Sequence, residues 1–211
     1  MMSKKKWDRF WKNSEFPMTT RLGFNSEKSS IRKLFNKLNL NKNARIIDFG
    51  CGEGRTLSYL RDFGFRKAIG VDSSEEALNA CKKRGFVIFK DVFYSYFLPI
   101  NADVLFSQGL LEHYLKKDWK PIIKDMVSTG AKTIVLMQPL TRSLTFRSIE
   151  FFEKYFTHFL DYINEYDYEM LDYMVAFDKF RYVLKFDKTT HGLPKFLDTS
   201  MFMVFERSDT K

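Results

Sequence analysis

Arg45-Ile-Ile-Asp48-Phe-Gly50-Cys51-Gly52-Glu-Gly54-Arg55 decides how the rest of this 211-residue chain is read. A short apolar run ends there in three alternating glycines. That is the form of a strand buried on both faces that enters a phosphate- or cofactor-binding turn. Glycine opens backbone angles closed to other residues and lets a ligand approach the main chain. A dinucleotide fingerprint, G-x-G-x-x-G, requires glycine three residues after Gly52, and Arg55 stands there instead. The pattern therefore weakens a nicotinamide-cofactor reading.

Further short apolar runs follow: Lys67-Ala-Ile-Gly-Val71, Phe86-Val-Ile-Phe89, Asp103-Val-Leu-Phe106 and Thr133-Ile-Val-Leu-Met137 are read as strands two to five. Helices are expected between them. One starts at about Thr56; one runs through Ala77, Leu78 and Cys81, with Ser73 and Glu76 at capping-box spacing; one carries Trp119, Ile122, Ile123, Met126 and Val127 on a single face. Upstream, Ile31, Leu34, Phe35 and Leu38 fall at i, i+3, i+4 and i+7, which predicts a helix from about Ser29 to Asn39. Strands alternating with helices predict an α/β domain whose parallel sheet is covered on both faces. After Pro139 the alternation fails. Ile149, Phe152, Phe156, Phe159 and Ile163 suit another helix, but residues 164–195 are rich in Tyr, Phe and Asp without a clear period, and a long insertion is expected there. Met201-Phe-Met-Val-Phe205 is the last strand, at an edge or antiparallel. The expected organisation is one domain: a basic helical segment over 1–44, a cofactor-binding core over 45–139, an insertion covering the substrate over 140–195, and a last strand within 196–211.

The order Asp48-x-Gly50-x-Gly52-x-Gly54 resembles motif I of the class I S-adenosylmethionine-dependent methyltransferases, and the resemblance continues downstream. Asp72, with Ser73 beside it, closes the second strand 22 residues after Gly50, where a carboxylate can accept hydrogen bonds from both ribose hydroxyls. Asp72 alone suits NAD equally. In Phe89-Lys-Asp91-Val92 the family places an acid near the adenine amino group. The stretch from Ala102 through Ser107-Gln108-Gly109-Leu-Leu-Glu112-His113 resembles the segment after the family's fourth strand, in which the Ser/Gln position faces the methionyl end and Leu-Glu-His opens the next helix. Taken singly, Asp48, Asp72 and Asp91 each read as well as turn or cap residues; jointly they outline one binding site. The resemblance covers residues 45–138, with 201–205 as a terminal strand. It implies a Rossmann-like, doubly wound, mostly parallel seven-stranded sheet and S-adenosylmethionine as cofactor. The implied contacts are Asp48, Gly50, Cys51, Gly52, Gly54, Asp72, Ser73, Asp91, Val92, Ser107 and Gln108.

Methyl transfer from a sulfonium is an in-line displacement with an excellent leaving group, so alignment and desolvation supply most of the acceleration. A base is needed only where the acceptor arrives protonated. His113 is the first candidate, because imidazole titrates near neutrality, and Glu112 is the second. Some related RNA 2′-O-methyltransferases place a Glu-x-x-Glu-His metal cluster at this segment; Gly109 replaces the first Glu here, and no metal is expected. The Asn/Asp-Pro-Pro-aromatic signature of many base-amine methyltransferases is also absent, Ser107-Gln108-Gly109 standing in its place. Cys51 is expected to be a small buried residue beside the cofactor and not a nucleophile.

The acceptor is left to the N-terminal segment and residues 140–195. Trp7 and Trp11 share a helical face, either as a lid or as a packing staple, and Tyr155, Tyr162, Tyr166, Tyr168 and Tyr173 form an aromatic set beside many acids. A small-molecule acceptor is expected from this. The alternatives are a nucleic-acid acceptor docked on the basic segment and a non-catalytic binding protein of the same fold. Net charge is +9, and residues 1–45 carry all of it, with twelve basic against three acidic side chains while the remainder balances at 23 against 23. With 45% apolar and 17% aromatic residues the chain can build a full core. Two cysteines exclude a disulfide framework and a clustered zinc site, and no apolar window approaches a membrane span. A soluble cytoplasmic protein is expected.

Overall fold

The computed structural model describes residues 4–13, 18–90, 101–140, 168–190 and 200–208. Two helices lead: α1 spans Lys4–Asn13 and α2 Met18–Lys37. Next come β1 (Ile46–Phe49), α3 (Arg55–Asp62), β2 (Ile69–Asp72), α4 (Glu75–Lys83) and β3 (Ile88–Lys90). They are followed by β4 (Val104–Gln108), a 3-10 turn over Leu111–His113, α5 (Lys116–Ser128) and β5 (Thr133–Pro139). The last elements are α6 (Met170–Asp178), β6 (Tyr182–Thr189) and β7 (Ser200–Arg207). The strands form one seven-stranded sheet in the order β3-β2-β1-β4-β5-β7-β6, in which β7 runs antiparallel to both β5 and β6 and the other pairs are parallel.

Every residue of β1 is buried, as a continuous apolar run in a sheet covered on both faces requires. Ile31, Leu34 and Phe35 of α2 and Tyr59 and Leu60 of α3 pack on one face. Trp119, Ile122, Ile123 and Met126 of α5, with Tyr173 and Phe177 of α6, pack on the other. The chain winds outward from β1 to β3 and then returns to β4, so β1 and β4 flank the point where the winding reverses. Crevices at the carboxyl ends of strands open at such points.

Three readings change. The predicted helix over 29–39 extends back to Met18, because its first turns lack the apolar stripe that marked the rest. Leu111-Glu112-His113 does not open the next helix; it forms its own short turn, and α5 begins at Lys116. Within the stretch 164–195 that shows no clear period, residues 170–189 form α6 and β6, and β6 is the seventh strand. As an edge strand β6 alternates buried Tyr182 with exposed Val183 and is interrupted by an irregularity between Leu184 and Phe186, which hides its period. The helix expected around residues 149–163, together with Tyr155, Tyr162 and Tyr166, lies outside the described residues.

Candidate active site

The cleft at the carboxyl ends of β1, β2 and β4 is made by the glycine loop. Gly50, Gly52 and Gly54 all have positive φ, and Gly54 (φ 84°) is the N-cap of α3. Gly50 and Cys51 donate their N–H groups to the Val71 carbonyl at 2.8 and 3.0 Å, which ties the loop to β2. A Cβ on Gly52 would lie 2.5 Å from the Trp11 indole, so only glycine lets that ring lie against the loop.

Asp72 is held from two sides. Gly52 N–H donates to Oδ2 and Ser74 N–H to Oδ1, both at 2.8 Å. Burial pushes its carboxyl pKa up, opposed by those N–H groups. The same contacts correct one expectation: Ser74, not Ser73, caps α4, accepting from Ala77 N–H. Asp48, 2% exposed, lies in the same cleft with Oδ2 lacking any hydrogen bond. Burial, reinforced by Asp72, raises its pKa to about 8, against the pull of Arg55.

Around these acids runs a polar rim. Arg55 Nε lies 3.1 Å from Glu27 Oε1, Gln108 Nε2 donates to Glu27 Oε2 at 2.8 Å, and Thr56 Oγ1 donates to Gln108 Oε1 at 3.3 Å. The rim fixes which way the Gln108 amide faces. The opposite wall is aromatic. Trp7, Phe10 and Trp11 of α1 line the cleft with His113 and Tyr114. Trp7 Nε1 donates to the Tyr114 hydroxyl at 3.3 Å, and the Trp7 and His113 rings meet edge to face at 5.2 Å. Asp8 Oδ1 accepts from Ser74 Oγ at 2.7 Å and from Glu75 N–H at 3.0 Å, fastening α1 to the start of α4. The space enclosed is about 190 Å³.

Of the residues singled out from the sequence, Asp48, Gly50, Cys51, Gly52, Asp72, Ser73, Gln108 and His113 line this cleft. Gly54 lies behind it, where an added Cβ would meet Cys81 Sγ at 2.8 Å. Ser107 and Glu112 are buried and do not line it, because Ser107 faces the opposite side of the sheet from Gln108. Asp91 and Val92 lie outside the described residues. The Cys51 thiol is pushed well above its ordinary pKa by its hydrogen bond with Cys81 and by burial, so it stays protonated at neutral pH. Sequence reasoning missed Glu27, Thr56 and Tyr114. Glu27 sits on a helix 21 residues before Asp48 with no motif around it, and only the fold brings it to Arg55 and Gln108. Among the described residues no group of three His, Cys, Asp or Glu side chains is gathered to hold a metal.

A doubly wound sheet with a glycine loop and an acid closing β2 defines the nucleotide-cofactor class of α/β enzymes, and the failed dinucleotide fingerprint argues against the nicotinamide branch. Residues 24–168 match the family described as "Methyltransferase domain", and the chain belongs to that family, that of the class I S-adenosylmethionine-dependent methyltransferases. Solved structures share the fold. Magnesium protoporphyrin IX methyltransferase from Synechocystis PCC 6803, with bound SAH, superposes with a TM-score of 0.69 at 15% identity over 97% of this chain and 94% of that one. An S-adenosylmethionine-dependent methyltransferase from Anabaena variabilis ATCC 29413 gives 0.67 at 13% identity over 99% and 96%. The methyltransferase domain of bacterial CtHen1 gives 0.65 at 19% over 87% and 99%. Among curated protein sequences, none matches.

The site fits the family's cofactor. Each Asp72 oxygen takes one N–H and keeps a lone pair for a ribose hydroxyl. The bare Asp48 oxygen is a buried acceptor suited to a cationic group.

Proposed function

We propose that this chain binds S-adenosylmethionine in the cleft and methylates a small-molecule acceptor in a reducing, cytoplasmic setting. The observation that carries the reading is the pair of buried acids facing one cleft, Asp72 aimed by Gly52 and Ser74, and Asp48 with an oxygen left bare. When bound, the cofactor supplies an activated methyl group on a sulfonium. Asp72 takes the ribose hydroxyls, Asp48 faces the cationic methionyl end, and Gln108, held by Glu27 and Thr56, offers its amide at the β4 edge. Asp91 and Val92, at the end of the third strand, complete the proposed contacts at the adenine. Trp7, Phe10 and Trp11 exclude water from the reacting centre. Of the two candidate bases, His113 lines the cleft and Glu112 does not, which supports His113 as the group that takes a proton from the acceptor. The aromatic wall of Trp7, Phe10 and Trp11 supports a small acceptor, and two structural relatives are by name methyltransferases of magnesium protoporphyrin IX and of mitomycin.

Calorimetric titration with S-adenosylmethionine and S-adenosylhomocysteine tests the reading. The expected result is a Kd on the order of micromolar, weakened at least about 100-fold in Asp72→Ala, which removes the acceptor for two hydroxyls at a cost of roughly 3 kcal/mol. Absence of binding by the unaltered protein would overturn it.

A further inference from the structure

The strands begin at the end of the sheet opposite the cleft, and cations collect there. Arg45 directly precedes β1, and Lys67 falls opposite it when the Ile47–Ile69 register is carried two residues back. Lys132 directly precedes β5, Arg207 closes antiparallel β7, and Arg181 precedes β6. Main-chain hydrogen bonds tie the row together: Asp103 N–H to Arg45 O at 2.9 Å, Thr133 N–H to Asp103 O at 3.3 Å, Arg207 N–H to Lys132 O at 3.0 Å, and Ser208 N–H to Arg181 O at 2.7 Å. All five cations are exposed, and among the described residues Arg45, Lys67, Lys132 and Arg207 enter no ion pair. Of the acids at this end, Asp62 pairs with Lys28 and Glu206 with Lys185, while Asp103, which accepts the Arg45 N–H and keeps its charge, and Asp178 at the end of α6 set two negative charges against the five positive ones.

Like charges on neighbouring strands repel on either side of β4, Lys67 beside Arg45 and Lys132 beside Arg207, and the set, at about 4.8 Å per strand, runs about 24 Å from β2 to β6. Helix dipoles account for Lys82 and Lys83 in the last turn of α4 but not for cations at strand starts. We propose that this edge is a docking surface for the phosphate backbone of a nucleic acid, distinct from the methyl-transfer cleft. Five cations along one edge, interrupted at β4 by Asp103, carry an excess of positive charge that suits a linear polyanion. Phe65 is covered by Lys42 at 4.3 Å, Phe186 by Lys37 at 3.7 Å, and Phe180 packs partly buried on the core, so among the described residues bases find no open platform and recognition is of the backbone, without sequence preference. A lipid surface would need exposed apolar anchors, and those near this edge are Val87 and Val183 at its two ends. Strands of four to five residues separate the edge from the cleft by about 15 Å, so a nucleic acid held here positions the enzyme and is not the acceptor in the cleft.

Fluorescence anisotropy of a labelled single-stranded RNA of about 20 nucleotides, titrated with the full chain at several salt concentrations, tests the assignment. The comparison is between the unaltered protein, Lys67→Gln/Lys132→Gln/Arg207→Gln, and Lys5→Gln/Arg9→Gln on α1. We expect affinity that falls with salt, a loss of at least about tenfold at low salt in the edge variant with the log–log slope reduced by about 2, and less than about twofold change in the α1 variant. Single Lys132→Gln, which removes one exposed charge, is expected to reduce the slope by about 0.7 and serves if the triple variant misfolds. Salt-independent binding, an edge variant that binds like the unaltered protein, a loss that follows Lys5 and Arg9 instead, or binding to phosphatidylserine vesicles without RNA binding would each overturn the proposal. Unchanged cofactor calorimetry in the edge variant keeps the outcome separate from that of the methyltransferase reading.

Discussion

At the scale of single residues, the cleft holds a carboxyl that folding disfavours in its charged form. Asp48 moves from the ordinary 3.8 to about 8, so between those values the folded protein holds a proton that the unfolded chain has released. Its effect on stability is nil below about pH 4, and stability falls as pH rises towards 8. Asp48→Asn is therefore expected to melt several degrees above the unaltered protein at pH 8 without cofactor, a gap that closes by pH 4, as differential scanning calorimetry would show. If Asp48 faces the cationic end of the cofactor, binding releases its proton. Affinity should then rise between pH 6 and 9, with a binding enthalpy that depends on buffer ionisation, and Asp48→Asn should lose both effects. Gln138 on β5 is a second such residue: 2% exposed, with no hydrogen bond at either amide atom among the described residues. Gln138→Met keeps the volume and removes a buried polar group worth about 1–3 kcal/mol, so Tm should rise by several degrees; an unchanged or lowered Tm would show that the amide is satisfied in solution. Neither condition is legible in the sequence. Asp48 is marked there as a motif residue, but its bare oxygen comes from what the fold puts around it.

Among the elements, α1 was legible as a helical segment whose Trp7 and Trp11 were either a lid over the site or a packing staple, and the fold makes it one wall of the cleft. Its docking rests on Asp8, which accepts two hydrogen bonds at the start of α4 across 66 residues of chain. Removing that carboxylate by Asp8→Ala should cost about 1 kcal/mol of stability and loosen α1. Cofactor dissociation, followed by the fluorescence of Trp7 and Trp11, is expected to speed up several-fold while the Asp72 contacts keep equilibrium binding measurable; an unchanged off-rate would mean that α1 packs without gating. β6 shows the opposite limit. Its edge position leaves one side to solvent and its irregularity breaks the alternation, so the local pattern that betrays β1 is missing. Spacing pointed to Ser73, because Glu76 stands three residues after it whereas Ala77 stands three after Ser74; the backbone angle and the Ala77 contact decide for Ser74.

For the molecule as a whole, the charge balance changes meaning between sequence and space. Counted along the chain, residues 1–45 hold the whole excess and the rest is neutral at 23 against 23. In the fold, Lys67, Lys132, Arg181 and Arg207 from the neutral part join Arg45 at one edge, and the edge variant described above should lose RNA affinity while retaining cofactor binding. What the sequence by itself determined is the α/β sheet, the glycine loop and the acid that closes β2. These are local: a buried strand needs a continuous apolar run, a tight loop needs glycine, and both are written in consecutive residues. Only the tertiary structure decided that Glu27 orients Gln108, that α1 closes the cleft, that β6 completes the sheet and that cations share an edge. Those facts depend on residues far apart in the chain meeting through packing, and no local period or spacing encodes such a meeting.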